Sequence, residues 1–196
     1  MGLFTILLIL YFALHSLLAS TKVKQYLKQR IIPLRYYRLM YNVFALVALI
    51  PVYFSYQSLD KSLIFHSNIL KWIGGLLLVV GLMTLWKALK GYDLSAFAGT
   101  YQYRAKKEEA AGQLITSGLN AHVRHPLYFA ALLLIWGGFL FATHLPMLLF
   151  ASITTSYLWL GTKLEEQKLL LQFGEAYADY QQRVPMLIPL RWNKMN

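Results

Sequence analysis

The sequence predicts an all-α membrane protein, a polytopic helical bundle of about five transmembrane helices with a cytoplasmic C-terminal helical tail. Three observations predict it. The 196-residue chain is 58% hydrophobic and only 14% charged, whereas a soluble domain carries about a quarter charged residues. The apolar residues gather into runs that approach the roughly 20 residues needed to cross a bilayer as a helix. The basic residues fall into short loops between those runs, and alternate loops are the basic ones. The length leaves room for one domain, spanning residues 1–196.

The first span reads from Leu3 to Ala19 and the second from Leu39 to Tyr56, with Pro51 near its far end. The third runs from Ile69 to Leu89 and contains Gly74, Gly75 and Gly81. The fourth, Pro126 to Ala142, and the fifth, Leu145 to Gly161, are short and form a helical hairpin about a tight turn at Thr143, His144 and Leu145. A cleaved signal peptide is the other reading of the first span. It would need a basic n-region, and no lysine or arginine precedes the apolar run.

Positive charges set the expected orientation. Lys22, Lys24, Lys28, Arg30, Arg35 and Arg38 follow the first span with no acid among them. Lys87, Lys90, Arg104, Lys106, Lys107 and Arg124 follow the third. The loop after the second span has only Lys61 and Lys71, and the loop after the fourth has none. The N-terminus is thus expected outside and the C-terminus in the cytoplasm. The net charge of +11 suits an anionic cytoplasmic leaflet, and no nucleic-acid partner is expected. Without cysteine, disulfides and thiolate catalysis are excluded.

The mixed-charge run Lys106 to Ala111 reads as a solvated surface helix. From Leu164 to Val184, apolar residues at Leu169, Phe173, Tyr177, Tyr180 and Val184 mark one helical face, which Gly174 breaks into two shorter helices.

Candidate chemistry lies in two clusters. In the first, His122-Val123-Arg124-His125-Pro126-Leu127-Tyr128 opens the fourth span. Proline suits the first helical position, which puts His125 near the N-cap. The free N–H groups and the dipole of that helix end, with Arg124 as a fixed cation, would hold an anion. On the plainer reading Arg124 and His125 are interfacial anchors and Tyr128 belongs to an aromatic belt. The second cluster is Glu165-Glu166. Adjacent helical residues point about 100° apart, so one of the two faces inward. It would accept hydrogen bonds from a ribose diol or an ammonium group and favour a sulfonium cation. Alone, the pair reads as a solvated helix end. Together the clusters place a cationic clamp and a carboxylate on the two arms of one hairpin. His122 and His125 are too few for a metal centre, so no metal is expected. His15-Ser16 reads as a hydrogen-bonded packing pair.

The pattern Ser117-Gly118-Leu119-Asn120, Val123-Arg124-His125-Pro126-Leu127-Tyr128, Glu165-Glu166 and Phe173-Gly174-Glu175-Ala176-Tyr177-x-x-Tyr180 resembles the isoprenylcysteine carboxyl methyltransferase family, within the phospholipid methyltransferase superfamily. The match covers the C-terminal half, with a cofactor-binding core at about residues 115–190. Val184-Pro185-Met186-Leu187-Ile188-Pro189 and Leu14-His15-Ser16-Leu17-Leu18-Ala19-Ser20 are similar to a bacterial branch that includes methanethiol S-methyltransferases. Asp93 to Gly99 follows that branch only in part.

The resemblance implies an integral enzyme of the bacterial inner membrane that uses S-adenosylmethionine. It implies binding of that cofactor by Arg124, His125, Pro126, Tyr128, Glu165 and Glu166, with Gly118 beside them; Arg124, His125 and Tyr128 are the expected catalytic residues, Arg124 and His125 orienting cofactor or acceptor. It also implies a small or lipophilic acceptor, thiol or carboxylate, reached from the bilayer lipid; Tyr101 and Tyr103 are candidates for its entrance. The competing class is a non-enzymatic protein of the same fold, acting as a regulatory or transport component. Transporters place ionisable residues near mid-membrane, and these spans carry essentially none.

Overall fold

The computed structural model describes residues 1–91, 93–105 and 113–190. The run Lys106–Ala111 lies outside them. Among the described residues the helices are α1 (Gly2–Ala19), α2 (Thr21–Arg30), α3 (Leu34–Gln57), α4 (Asn68–Leu89), α5 (Leu94–Ala98), α6 (Thr100–Ala105), α7 (Pro126–Ala142), α8 (Leu145–Phe173) and α9 (Glu175–Arg183). Four of them, α1, α3, α4 and α8, are long and apolar enough to cross a membrane, and α7 is a shorter apolar helix. Large side chains such as Trp72, Ile69 and Leu46 point outward. That arrangement suits a bilayer solvent, in which an apolar surface needs no protein cover. The chain is an integral membrane helical bundle.

The chain groups into two compact units, residues 1–61 with 93–105 and residues 62–91 with 113–190. In the first unit α1 packs on α3. Phe4 and Leu8 are buried there, and the Phe4 ring meets Tyr56 at 5.6 Å. The Tyr41 hydroxyl lies 2.8 Å from His15 Nε2, so His15 is a helix-packing residue as its sequence context suggested. Ser20 ends α1 and caps α2, its hydroxyl accepting from the Val23 amide at 3.4 Å. The basic stretch after the first span is therefore helical, which its charge pattern did not reveal. Tyr103 packs its ring on Tyr36 at 5.6 Å.

In the second unit α4 lies against α7 at a distance only glycine permits. A β-carbon on Gly74 would sit 2.5 Å from the Phe141 nitrogen and 2.7 Å from the Gly137 oxygen. Small residues at such crossings let van der Waals contact replace the hydrophobic drive that lipid cannot supply. α7 and α8 form the expected hairpin. Its turn residue Thr143 takes φ +41°, a left-handed conformation that costs a β-branched residue energy. Tertiary hydrogen bonds hold it there: the Ile64 amide donates to the Thr143 carbonyl at 2.8 Å, and the Thr143 hydroxyl donates to the Phe65 carbonyl at 2.9 Å. His144 then caps α8, its Nδ1 accepting from the Met147 amide at 3.1 Å.

The fifth apolar run does not end its helix. α8 continues without a break to Phe173, 29 residues in all, or about 44 Å at 1.5 Å per residue. A hydrocarbon core is only about 30 Å thick. Leu145–Gly161 fills most of it, and the turns that follow, rich in lysine and glutamate, project beyond. Gly174, at φ +56°, then breaks α8 from α9 at the position the sequence indicated.

Candidate functional site

The site forms where the start of α7 meets the projecting end of α8. Pro126 occupies the first turn of α7 and His125 is its N-cap residue, with no side-chain cap. A 3-10 turn, Gly118–Ala121, leads into it. Gly118 enters that turn at φ +63°, and a β-carbon there would touch nothing; what it supplies is the left-handed backbone that glycine adopts without strain. Val123 is buried behind the turn, which fixes the directions of Arg124 and His125.

On α8 the two glutamates diverge as the helical period requires. Glu166 turns inward and Glu165 outward, with side chains 7% and 45% exposed. Arg124 Nε donates to Glu166 Oε1 at 2.6 Å, and His125 Nε2 lies 3.2 Å from the same oxygen. Gln181, on α9, donates its amide to Glu166 Oε2 at 3.0 Å. Burial alone would raise the Glu166 carboxyl. The hydrogen bonds from His125 and Arg124, together with the guanidinium charge, reverse that effect and hold it at about 2.

Glu165 keeps different company. Tyr128 donates its hydroxyl to Glu165 Oε2 at 2.9 Å. Its ring stacks on His125, three residues earlier, with centroids 5.6 Å apart and planes 15° from parallel. His125 Nδ1 lies 3.8 Å from Glu165 Oε2. The imidazole thus stands between two carboxylates, and only its protonated form can donate to both.

The structure therefore brings Arg124, His125, Tyr128, Glu165 and Glu166 into one cluster, with Pro126 and Gly118 shaping the backbone beneath it. The sequence reading missed Gln181. Its one signal was its place four residues after Tyr177, on the face of α9 that packs inward. Tyr177 is fully buried, and its hydroxyl sits against Glu166 and Arg124 without a well-formed hydrogen bond among the described residues. Burial, and then the Glu166 charge, raise its ionisation well above the usual range. A buried donor without a well-formed partner adds little to stability, so Tyr177→Phe is expected to leave the melting temperature unchanged or to raise it. A melt of the detergent-solubilised variant checks this, and a clear loss of stability would show that the hydroxyl is satisfied. A separate cleft of about 440 Å³, lined by Ala121, His122, Arg183, Pro185 and Pro189, opens nearby and contains none of the five clustered side chains.

Comparison with known proteins adds to this picture. A family model described as Protein of unknown function (DUF1295) matches residues 20–184. A methanethiol S-methyltransferase from Crocosphaera subtropica is 31% identical over 186 residues, covering 89% of this chain and 69% of that protein. One from Pseudomonas deceptionensis is 30% identical, covering 94% of this chain and 71% of its own length. The protein-S-isoprenylcysteine O-methyltransferase of Schizosaccharomyces pombe is 32% identical over 87 residues, 44% of this chain and 37% of its own. No solved structure matches significantly. These relatives support methyl transfer as the general reaction class.

Proposed function

Because the chain belongs to the family described as Protein of unknown function (DUF1295), and to that of its methanethiol S-methyltransferase relatives, we propose that it transfers a methyl group from S-adenosylmethionine to a small or lipophilic acceptor at the cytoplasmic face of the membrane. The observation that carries this reading is the meeting of Arg124, His125 and Tyr128 with Glu165 and Glu166, across about 40 residues of sequence, at one end of the α7–α8 hairpin.

The donor set fits such a cofactor. With His125 neutral, one guanidinium against two carboxylates leaves one negative charge in excess, which complements the net positive charge of a sulfonium amino acid. Glu165 is the half-exposed carboxylate, and Tyr128 and His125 fix its orientation. The first turn of α7 has no side-chain cap and suits the amino acid's carboxylate. S-adenosylmethionine supplies a methyl carbon on a positively charged sulfur. The acceptor's electron pair forms the new bond to that carbon while the C–S bond breaks towards sulfur, so the main demand on the protein is alignment, worth up to about 7–11 kcal/mol. A carboxylate acceptor reacts without losing a proton. A thiol must first lose one; His125 is placed to take it, or Tyr128 if its own proton passes to Glu165 along their hydrogen bond. The basic loops after the first and third spans favour the cytoplasm for this face, and the acceptor would enter from the lipid.

Titration of S-adenosylmethionine into the purified protein in detergent tests the reading. Saturable binding is expected, weakened at least tenfold in Tyr128→Phe and Glu165→Gln, two variants that leave the buried ion pair intact. A folded wild type that binds none would move the assignment to a non-enzymatic member of the fold.

A further inference from the structure

The sequence cast Arg124 as an anion clamp, yet its guanidinium faces no open space. Its side chain is 9% exposed. Besides the bond to Glu166, Nη1 donates to the Gln181 carbonyl at 3.0 Å and to the Val184 carbonyl. The backbone repeats the link, because the Arg124 amide donates to the Pro185 carbonyl at 2.9 Å and the His125 amide to that of Met186 at 3.2 Å. Tyr180 donates its hydroxyl to the Asn120 carbonyl at 2.6 Å, and Asn120 in turn donates to the Arg124 carbonyl at 3.1 Å. The chain from Tyr180 to Met186 is thus stitched to residues 120–125 at the entry to α7, and the stitch centres on one side chain.

We propose that Arg124 is a positioning residue that clasps the C-terminal segment Gln181–Met186 onto the start of α7, and that it contacts neither cofactor nor acceptor. This rests on the methyl-transfer reading above. Closing the clasp delivers the Gln181 amide to Glu166, so that both oxygens of that carboxylate are occupied from within the protein. Glu165 is left as the carboxylate that faces a ligand. The flat, five-donor guanidinium reaches two carbonyls of the C-terminal segment and a carboxylate of α8 at once. A lysine ammonium at the end of a flexible stem keeps the charge without that span.

The clasp has a kinetic signature. If Arg124 governs an equilibrium between docked and undocked segment, weakening it lowers the competent fraction and raises the apparent dissociation constant by the same factor. Saturating methyl donor drives the segment closed again and restores turnover. A residue that merely supports the fold would instead lower kcat through loss of active protein at unchanged KM.

The test uses the full chain in detergent, as wild type, Arg124→Met and Arg124→Lys. Hydrogen–deuterium exchange is followed in peptides covering residues 122–126 and 184–190, with residues 74–81 of α4 as internal control. Methyl-donor KM and kcat are measured with a lipophilic thiol and a lipophilic carboxylate as acceptors. The expected result is exchange at least tenfold faster in 122–126 in both variants, with α4 unchanged. The donor KM should rise about tenfold with kcat within threefold of wild type, and lysine should do no better than methionine. Wild-type exchange with a raised KM would make Arg124 a ligand contact and overturn the clasp. So would a fallen kcat at constant KM, or full rescue by lysine. If Arg124→Met is not recovered folded, Arg124→Lys alone supplies both readouts. A wild type that binds no methyl donor overturns the proposed function, while the exchange arm still decides the clasp.

Discussion

Replacing Glu166 with alanine is expected to destabilise the protein by about 3–5 kcal/mol, the cost of leaving one member of a buried ion pair uncompensated. The reason is local. The Arg124 and Glu166 side chains are each less than a tenth exposed, 2.6 Å apart, and removal of the carboxylate leaves a largely buried guanidinium without its counter-charge. It also removes the acceptor for His125 and Gln181. Glu165→Ala, one residue away, is the control. Its side chain is 45% exposed and its loss should shift stability by about 0.5 kcal/mol or less, as surface changes do. Thermal melts of both variants in the same detergent decide the matter. Equal shifts would mean that the two carboxylates share one environment and that the inward assignment of Glu166 is wrong.

The second large effect is expected at the crossing of α4 and α7. Gly74→Ala would place a methyl group 2.5–2.9 Å from the backbone of Phe141, Gly137 and Leu140. Main chain cannot rotate away as a side-chain tip can, so the helices must separate along the contact. Overpacking of this kind costs typically 1–3 kcal/mol and sometimes more, and in lipid the lost contact is the very term that drives association. Gly75→Ala is the matched comparison, because a β-carbon there meets nothing within 4 Å and alanine favours the helix by about 1 kcal/mol. Size-exclusion profiles and melting temperatures should show the first variant depleted in folded protein and the second equal to wild type or better. Similar behaviour of the two would contradict the close crossing.

Much of this was legible in the residues. The apolar runs gave the long helices because a bilayer enforces length and continuity. Pro126 marked the start of α7 to the residue, and Gly174 marked the break after α8. The methyltransferase resemblance is matched by the relatives found. That the fifth span and the helical face after it form one unbroken helix was not legible, because hydropathy stops at the edge of the hydrocarbon, while a helix rich in Leu, Glu, Gln and Lys continues on propensity alone. The charge pattern after the first span hid α2 for a related reason. A run of lysines reports which side of the membrane it occupies and says little about backbone conformation. The backbone partners of Arg124, 57 and 60 residues away, were not legible, because no local spacing encodes them. Gln181 left only its four-residue step from Tyr177, which places it on a helix face without naming its partner, a carboxylate oxygen on another helix.

The strained turn at Thr143 has a consequence for how the chain is made. Its left-handed backbone is stable only while Ile64 and Phe65 hold it, and both leave the ribosome some 80 residues before Thr143 does. N-terminal segments fold first during synthesis. The residues that hold the last helical hairpin at its turn are therefore already synthesised when that hairpin emerges.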